Sequence, residues 1–249
     1  MTTGSNAGRI ARLTLSLGLT LAGATTQAAP VPIGGPLAGD GDGLNAFWVS
    51  TGVPPGSVAA ALEALANGTS ETVVVNLAPY IDHRDFVGGT EGEHDGPDLA
   101  DPFTPIDPVS GEAVGEAIFA VRFSGFLNVL TSGDYSFRSL SDDGFRLTLG
   151  GEVISEFDGN RSPDVNQADL FLDAGLYSIE FIGWEQGGQF VNELAWLRPG
   201  DDDFHVIGAL ADDRVLFSQA PAAVPVPAAL PLLGSALVGL GALGRRRKV

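Results

Sequence analysis

The 249-residue sequence contains no cysteine. That excludes a disulfide framework, a thiolate metal site and a cysteine nucleophile, so the fold must be held by its core or by a bound ion. Basic residues are scarce, 13 against 31 acidic ones, for a net charge of −18. A surface of that sign repels nucleic acid and anionic lipid, and no nucleic-acid partner is expected. No Gly-x-Ser-x-Gly elbow, phosphate-binding loop or zinc-ligand spacing occurs along the chain. Carboxylate pairs could suggest glycoside hydrolysis, but so many acids always supply a pair by chance. The chain is read as non-enzymatic. What it does have is 34 glycines and 16 prolines, which punctuate it in the manner of a turn-rich all-β protein.

The two ends differ from the middle. Arg9 and Arg12 precede an apolar run from Leu13 to Ala24, and Thr26-Gln27-Ala28 follows with small residues flanking Gln27. A positive start, a short apolar run and a small-x-small site read as a secretory signal over residues 1–28, cut by signal peptidase. At the other end, Val224-Pro225-Val226-Pro227-Ala228 precedes an apolar stretch from Ala229 to Gly244, and Arg245, Arg246, Arg247 and Lys248 close it. Such a stretch rises roughly 24 Å as a helix, a little short of a bilayer core. The basic end is expected to stay cytoplasmic, anchoring the chain in the inner membrane with its bulk outside.

The order Val-Pro-x-Pro-Ala, apolar helix, Arg-rich end resembles the PEP-CTERM sorting signal in its VPxPA variant. That resemblance implies an exosortase-type processing enzyme as partner, and a destination at the cell surface or in an exopolysaccharide matrix. An ordinary anchor would explain the helix and the arginines but not the proline block. Six of the 13 basic residues lie in these two ends, leaving seven against all 31 acids, or about −24 for the region between.

Residues 29–42 read as a linker and 43–218 as one domain, with 219–249 forming the linker and sorting tail. Ser57 to Asn67 has a capping serine, an Ala/Leu-rich body and Gly68 after it, which predicts one short helix. Thr72–Leu77 is β-branched and reads as a strand. From about Asp82 to Glu116 the chain turns acidic, and a long surface loop is expected. Beyond it, apolar residues alternate at Phe119, Val121 and Phe123, at Tyr135 and Phe137, and at Phe145, Leu147 and Leu149. The same pattern returns at Tyr177, Ile179 and Phe181, then Leu194 and Trp196, with Arg122, Arg138, Arg146 and Glu180 on the other face. Gly150-Gly151 suits a two-residue hairpin turn. These signals predict an all-β, two-sheet antiparallel β-sandwich with one short helix.

Phe123 to Ile154 carries Gly125, Gly133, Tyr135, Phe137, Asp142, Asp143 and Gly144 in an order that resembles the protective-antigen-type domain of adhesins, glycosidases and toxins. Leu172–Trp196 is similar to the family's later Gly-x-Tyr strand, glycine-bearing loop and Leu-x-Trp strand, and Gly43–Trp48 to its opening. The resemblance implies a two-sheet β-sandwich. In the yeast flocculin branch, the aspartates matching Asp142 and Asp143 are joined by a cis peptide and hold calcium, which accepts vicinal sugar hydroxyls. That branch also uses an asparagine where this chain has Glu185, a departure that adds charge and length. The expected metal ligands are therefore Asp142, Asp143 and Glu185, with Asp142, Asp143, Gln186 and Gln189 facing a carbohydrate. Calcium favours six to eight oxygen ligands, which flexible acidic loops can supply. Asp-Asp-Gly is also a good turn sequence with no metal at all.

Two functions follow from these readings: a calcium-dependent carbohydrate-binding adhesin module, or a structural matrix protein with an acidic, cation-collecting surface. His83 and His94, set among Asp82, Asp85, Glu91, Glu93 and Asp95, are expected in a solvated acidic loop. Asp201-Asp202-Asp203 and Asp212-Asp213 read as turns.

Overall fold

The structure is a computed structural model that describes residues 28–67, 73–84, 99 and 118–220. Residues 1–27 of the expected signal and 221–249 of the sorting tail, including Val224, Pro225, Pro227, Ala228, Arg245, Arg246 and Arg247, lie outside these residues, as does His94. Among the described residues no helix is long and apolar enough to cross a membrane.

The described residues form twelve strands and one helix. In chain order they are β1 (Leu44–Ser50), α1 (Val58–Asn67), β2 (Val73–Ala78), β3 (Asp82–Arg84), β4 (Phe119–Val129) and β5 (Gly133–Asp142). Then follow β6 (Phe145–Leu149), β7 (Glu152–Phe157), β8 (Asp164–Leu172), β9 (Gly175–Glu185), β10 (Val191–Leu197), β11 (His205–Val206) and β12 (Leu216–Phe217). They pair into two antiparallel sheets. One runs β2-β1-β4-β9-β6-β7 with β12 also beside β4, and the other runs β11-β10-β5-β8 with β3 beside β10.

Because side chains alternate across a strand, one face of each sheet can be wholly apolar. Phe123, Phe145, Leu147, Tyr177, Ile179 and Phe181 of the first sheet meet Tyr135, Phe137, Leu194 and Trp196 of the second in one buried cluster. The first sheet is apolar on its outer face as well, at Val49, Ala120, Ile182 and Trp184, and α1 covers that patch with Val58, Ala61 and Leu65. The Ser57 hydroxyl accepts the N–H of Ala60 at 3.2 Å, the predicted cap, and Asp158 accepts the N–H of Val58 at 2.7 Å. Gly150 and Gly151, with φ of 56° and 88°, turn the β6–β7 hairpin through the left-handed region that suits a tight hairpin.

The expected long loop after Asp82 is corrected at its start. Asp82, His83 and Arg84 form β3, pairing Glu193, Asn192 and Val191 of β10. All three are buried. His83 is not a solvated loop histidine: its ring lies 5.1 Å from Trp48 and 5.3 Å from Phe123 between the sheets. Burial of the two acids on this face is offset by Arg84, whose Nη2 lies 3.3 Å from Asp82 and 3.5 Å from Glu193. Asp213 likewise is no simple turn residue. Its fully buried carboxylate accepts Trp196 Nε1 at 3.2 Å, Arg198 Nη1 at 2.9 Å and the Gly208 N–H at 3.1 Å.

Candidate functional site

The three predicted acidic residues fall at one end of the sandwich, because β5 and β9 finish there. Asp142 is the last residue of β5, Asp143 begins the short link to β6, and Glu185 is the last residue of β9. The peptide bond between Asp142 and Asp143 is cis. One carboxylate oxygen from each of Asp142, Asp143 and Glu185 lies within 4.8 Å of the others. Oxygens bound to a common calcium ion stand no more than about 5 Å apart, so this spacing suits a hard divalent cation.

Each acid is fixed by its neighbours. Asp143 is 2 % exposed. Its Oδ2 accepts the Gln186 N–H at 2.8 Å and its Oδ1 the Arg161 N–H at 3.1 Å. The Asp143 N–H donates to the Trp184 carbonyl at 3.1 Å, and its carbonyl accepts the Ser141 hydroxyl at 3.1 Å. Burial pushes the Asp143 carboxyl above the ordinary carboxylate value, partly offset by the N–H groups of Gln186 and Arg161. A buried carboxylate whose charged form is under-solvated gains most from a nearby cation. Glu185, also buried, accepts the Gly187 N–H on Oε1 at 2.6 Å. That bond needs the chain to turn back at once, and Gly187 and Gly188 do so at φ of 126° and 118°.

Gly144 completes the Asp-Asp-Gly sequence for a packing reason. A methyl group there would stand 2.1 Å from the Trp184 ring and 2.4 Å from the Gly159 carbonyl. Gly183 has a similar reason one layer deeper, since its Cβ would stand 2.2 Å from the Asn192 amide nitrogen.

Asp142 and Asp143 open onto a cleft of about 520 Å³, lined also by Asn160, Arg161, Gln186 and Gln189, while Glu185 stays buried behind them. Gln186 and Gln189 line the cleft with Asp142 and Asp143. Asn160 and Arg161 were not foreseen. They come from the β7–β8 loop, whose turn-forming Asp158-Gly159-Asn160 and Pro163 mark a loop in the sequence but not its path. Asn160 accepts the Trp184 indole N–H at 2.9 Å and donates to Gln186 Oε1 at 2.6 Å. Arg161 donates from Nη2 to the Ser141 hydroxyl at 2.8 Å and the Asp164 carbonyl at 2.9 Å, with its guanidinium 4.3 Å from the Phe157 ring centre.

Residues 91–207 match the PA14 domain. The match covers just under half of the chain, and it contains Asp142, Asp143 and Glu185. Solved structures share the fold of this matched region and of the strands before and after it. The PA14 domain of the MpAFP antifreeze protein is 17 % identical with a TM-score of 0.51, covering 79 % of this chain and 98 % of that one. The A domain of epithelial adhesin 6 from Candida glabrata, in complex with Galb1-3GlcNAc, is 14 % identical with a TM-score of 0.53, covering 78 % and 95 %. Among curated proteins none matches.

Proposed function

We propose that this protein is an exported, non-catalytic surface module that binds calcium through Asp142, Asp143 and Glu185 and a glycan in the adjoining cleft. The observation that carries the proposal is the convergence of three carboxylates, two of them buried, with Asp142 and Asp143 lining a polar cleft. When bound, calcium supplies open coordination positions that attract vicinal sugar hydroxyls. The side chains of Asn160, Gln186 and Gln189 then offer neutral hydrogen-bond groups to the rest of the sugar. The PA14 match is in keeping with this reading, since an adhesin domain of the same fold was solved with a disaccharide.

The two ends of the sequence support the route outward: signal peptidase at the start, then an exosortase-type enzyme acting at Val224–Ala228. The basic Arg245–Arg247 end would hold the chain at the inner membrane until processing. The final place is the cell surface or the extracellular matrix. A glycan array probed with and without calcium tests the function. Calcium-dependent binding that disappears on chelation and in Asp142→Ala supports it. Absence of binding to every sugar leaves an acidic matrix protein as the better description.

A further inference from the structure

Among the described residues, Arg161 is the one basic side chain on the wall of this cleft. Its guanidinium is held rigidly, by stacking on Phe157 and by the two Nη2 hydrogen bonds to Ser141 and Asp164. Its charge is poorly matched. Nε is buried with no hydrogen-bond partner. Nη1 reaches a carboxylate only at Asp164, 3.7 Å away, and that side chain is 72 % exposed, where an ion pair contributes little. The other acid that favours its charged form is Asp142, one of the three clustered carboxylates.

A divalent ion at that cluster would draw on the charge of Asp142 and leave the guanidinium under-compensated in a half-buried setting. Apart from the clustered carboxylates that would hold the ion, the described lining consists of amides, the Ser162 hydroxyl, Pro163 and Gly187, none of which carries a negative charge. A planar guanidinium pairs best with a planar oxyanion, and hydrogen bonds between charged partners are roughly twice as strong as neutral ones. We propose that Arg161 sets specificity for an acidic sugar, a hexuronate whose carboxylate meets the guanidinium while its hydroxyls face the ion and the amides. The inference rests on the glycan-binding reading and names the class of sugar for that site.

The test compares galacturonic, glucuronic and mannuronic acids, each beside its own methyl ester, by titration calorimetry on the calcium-loaded protein. Acid and ester share every ring hydroxyl, and the ester replaces the anionic carboxylate by a neutral group one methyl larger. At least one acid is expected to bind about tenfold more tightly than its ester. In Arg161→Gln that preference falls to about one while the ester affinity is kept, and in Arg161→Lys part of it survives. Calcium titration without sugar gives an independent readout: loss of a neighbouring cation should leave Arg161→Gln binding calcium as tightly as the parent or more so. Esters that bind as well as acids overturn the inference and leave the glycan-binding reading intact. A preference that survives Arg161→Gln places the carboxylate on the ion and overturns it too. If calcium binds but neither acids, esters nor neutral hexoses do, both readings fail.

Discussion

Asp143 accepts the backbone N–H of Gln186 at 2.8 Å, so one carboxylate joins the end of β5 to the loop after β9. These segments lie 43 residues apart in sequence and in different sheets. The cluster is thus assembled by the sandwich itself, and substitutions in the supporting residues should reach it without touching a carboxylate.

Gly144 gives the first such case. Alanine there must push against the Trp184 ring and the Gly159 carbonyl, both backed by packed structure. Gly144→Ala is expected to lower stability by about 1–3 kcal/mol. Denaturant titration measures the loss, and calcium affinity measured beside it should fall as the Asp142-Asp143 link is displaced.

Asn160 bridges Trp184 and Gln186, and the Gln186 N–H in turn holds Asp143. Asn160→Ala leaves the indole N–H without its acceptor, at a cost of about 1–3 kcal/mol. Thermal melts report this cost. Sugar affinity should weaken more than calcium affinity, because Asn160 lines the cleft and is not among the clustered carboxylates.

Arg84 separates Asp82 from Glu193 in a fully covered setting. Arg84→Met removes the cation and leaves two buried acids, and is expected to destabilise by about 3–5 kcal/mol. The triple change that also makes Asp82→Asn and Glu193→Gln should recover part of the loss. No recovery in equilibrium unfolding would show that Arg84 acts through packing and not through charge.

Asp42 fastens the start of β1 to the last strand, accepting the Ser218 N–H at 2.7 Å and its hydroxyl at 2.6 Å. Hydrogen bonds from the Ser218 hydroxyl and then its N–H hold the Asp42 carboxyl below the ordinary value of 3.8. The folded chain therefore binds this proton less readily than the unfolded one. Its stabilising contribution is full above pH 3.8 and is lost as pH falls from there through the lowered value. Asp42→Ala should cost about 1 kcal/mol at neutral pH and much less in strong acid, measured by urea titration at both.

The sequence carried the sandwich well where inner positions were aromatic or branched, as along Phe119–Phe123 and Tyr177–Phe181. It failed at β8, whose inner positions include polar Asn166 and small Ala168 opposite Ser139 and Phe137. It failed also at β3, where Asp-His-Arg reads as surface and is buried only because Arg84 and the acids compensate one another. The strands that end at Asp142 and Glu185 were legible from their alternation, whereas the choice of those acids as candidate ligands came from the family resemblance. Asn160 and Arg161 were not legible, since their place depends on a loop folding back over Trp184, a contact with no local signature.

The most direct test of the central claim is calcium titration calorimetry on the protein beside the Asp142→Asn, Asp143→Asn double variant. The account predicts one saturable site in the parent and none in the variant, with a melting temperature that rises with calcium only in the parent. Weak, multiple, salt-sensitive binding that is the same in both proteins would contradict it, and would leave the two aspartates as turn residues on an acidic surface.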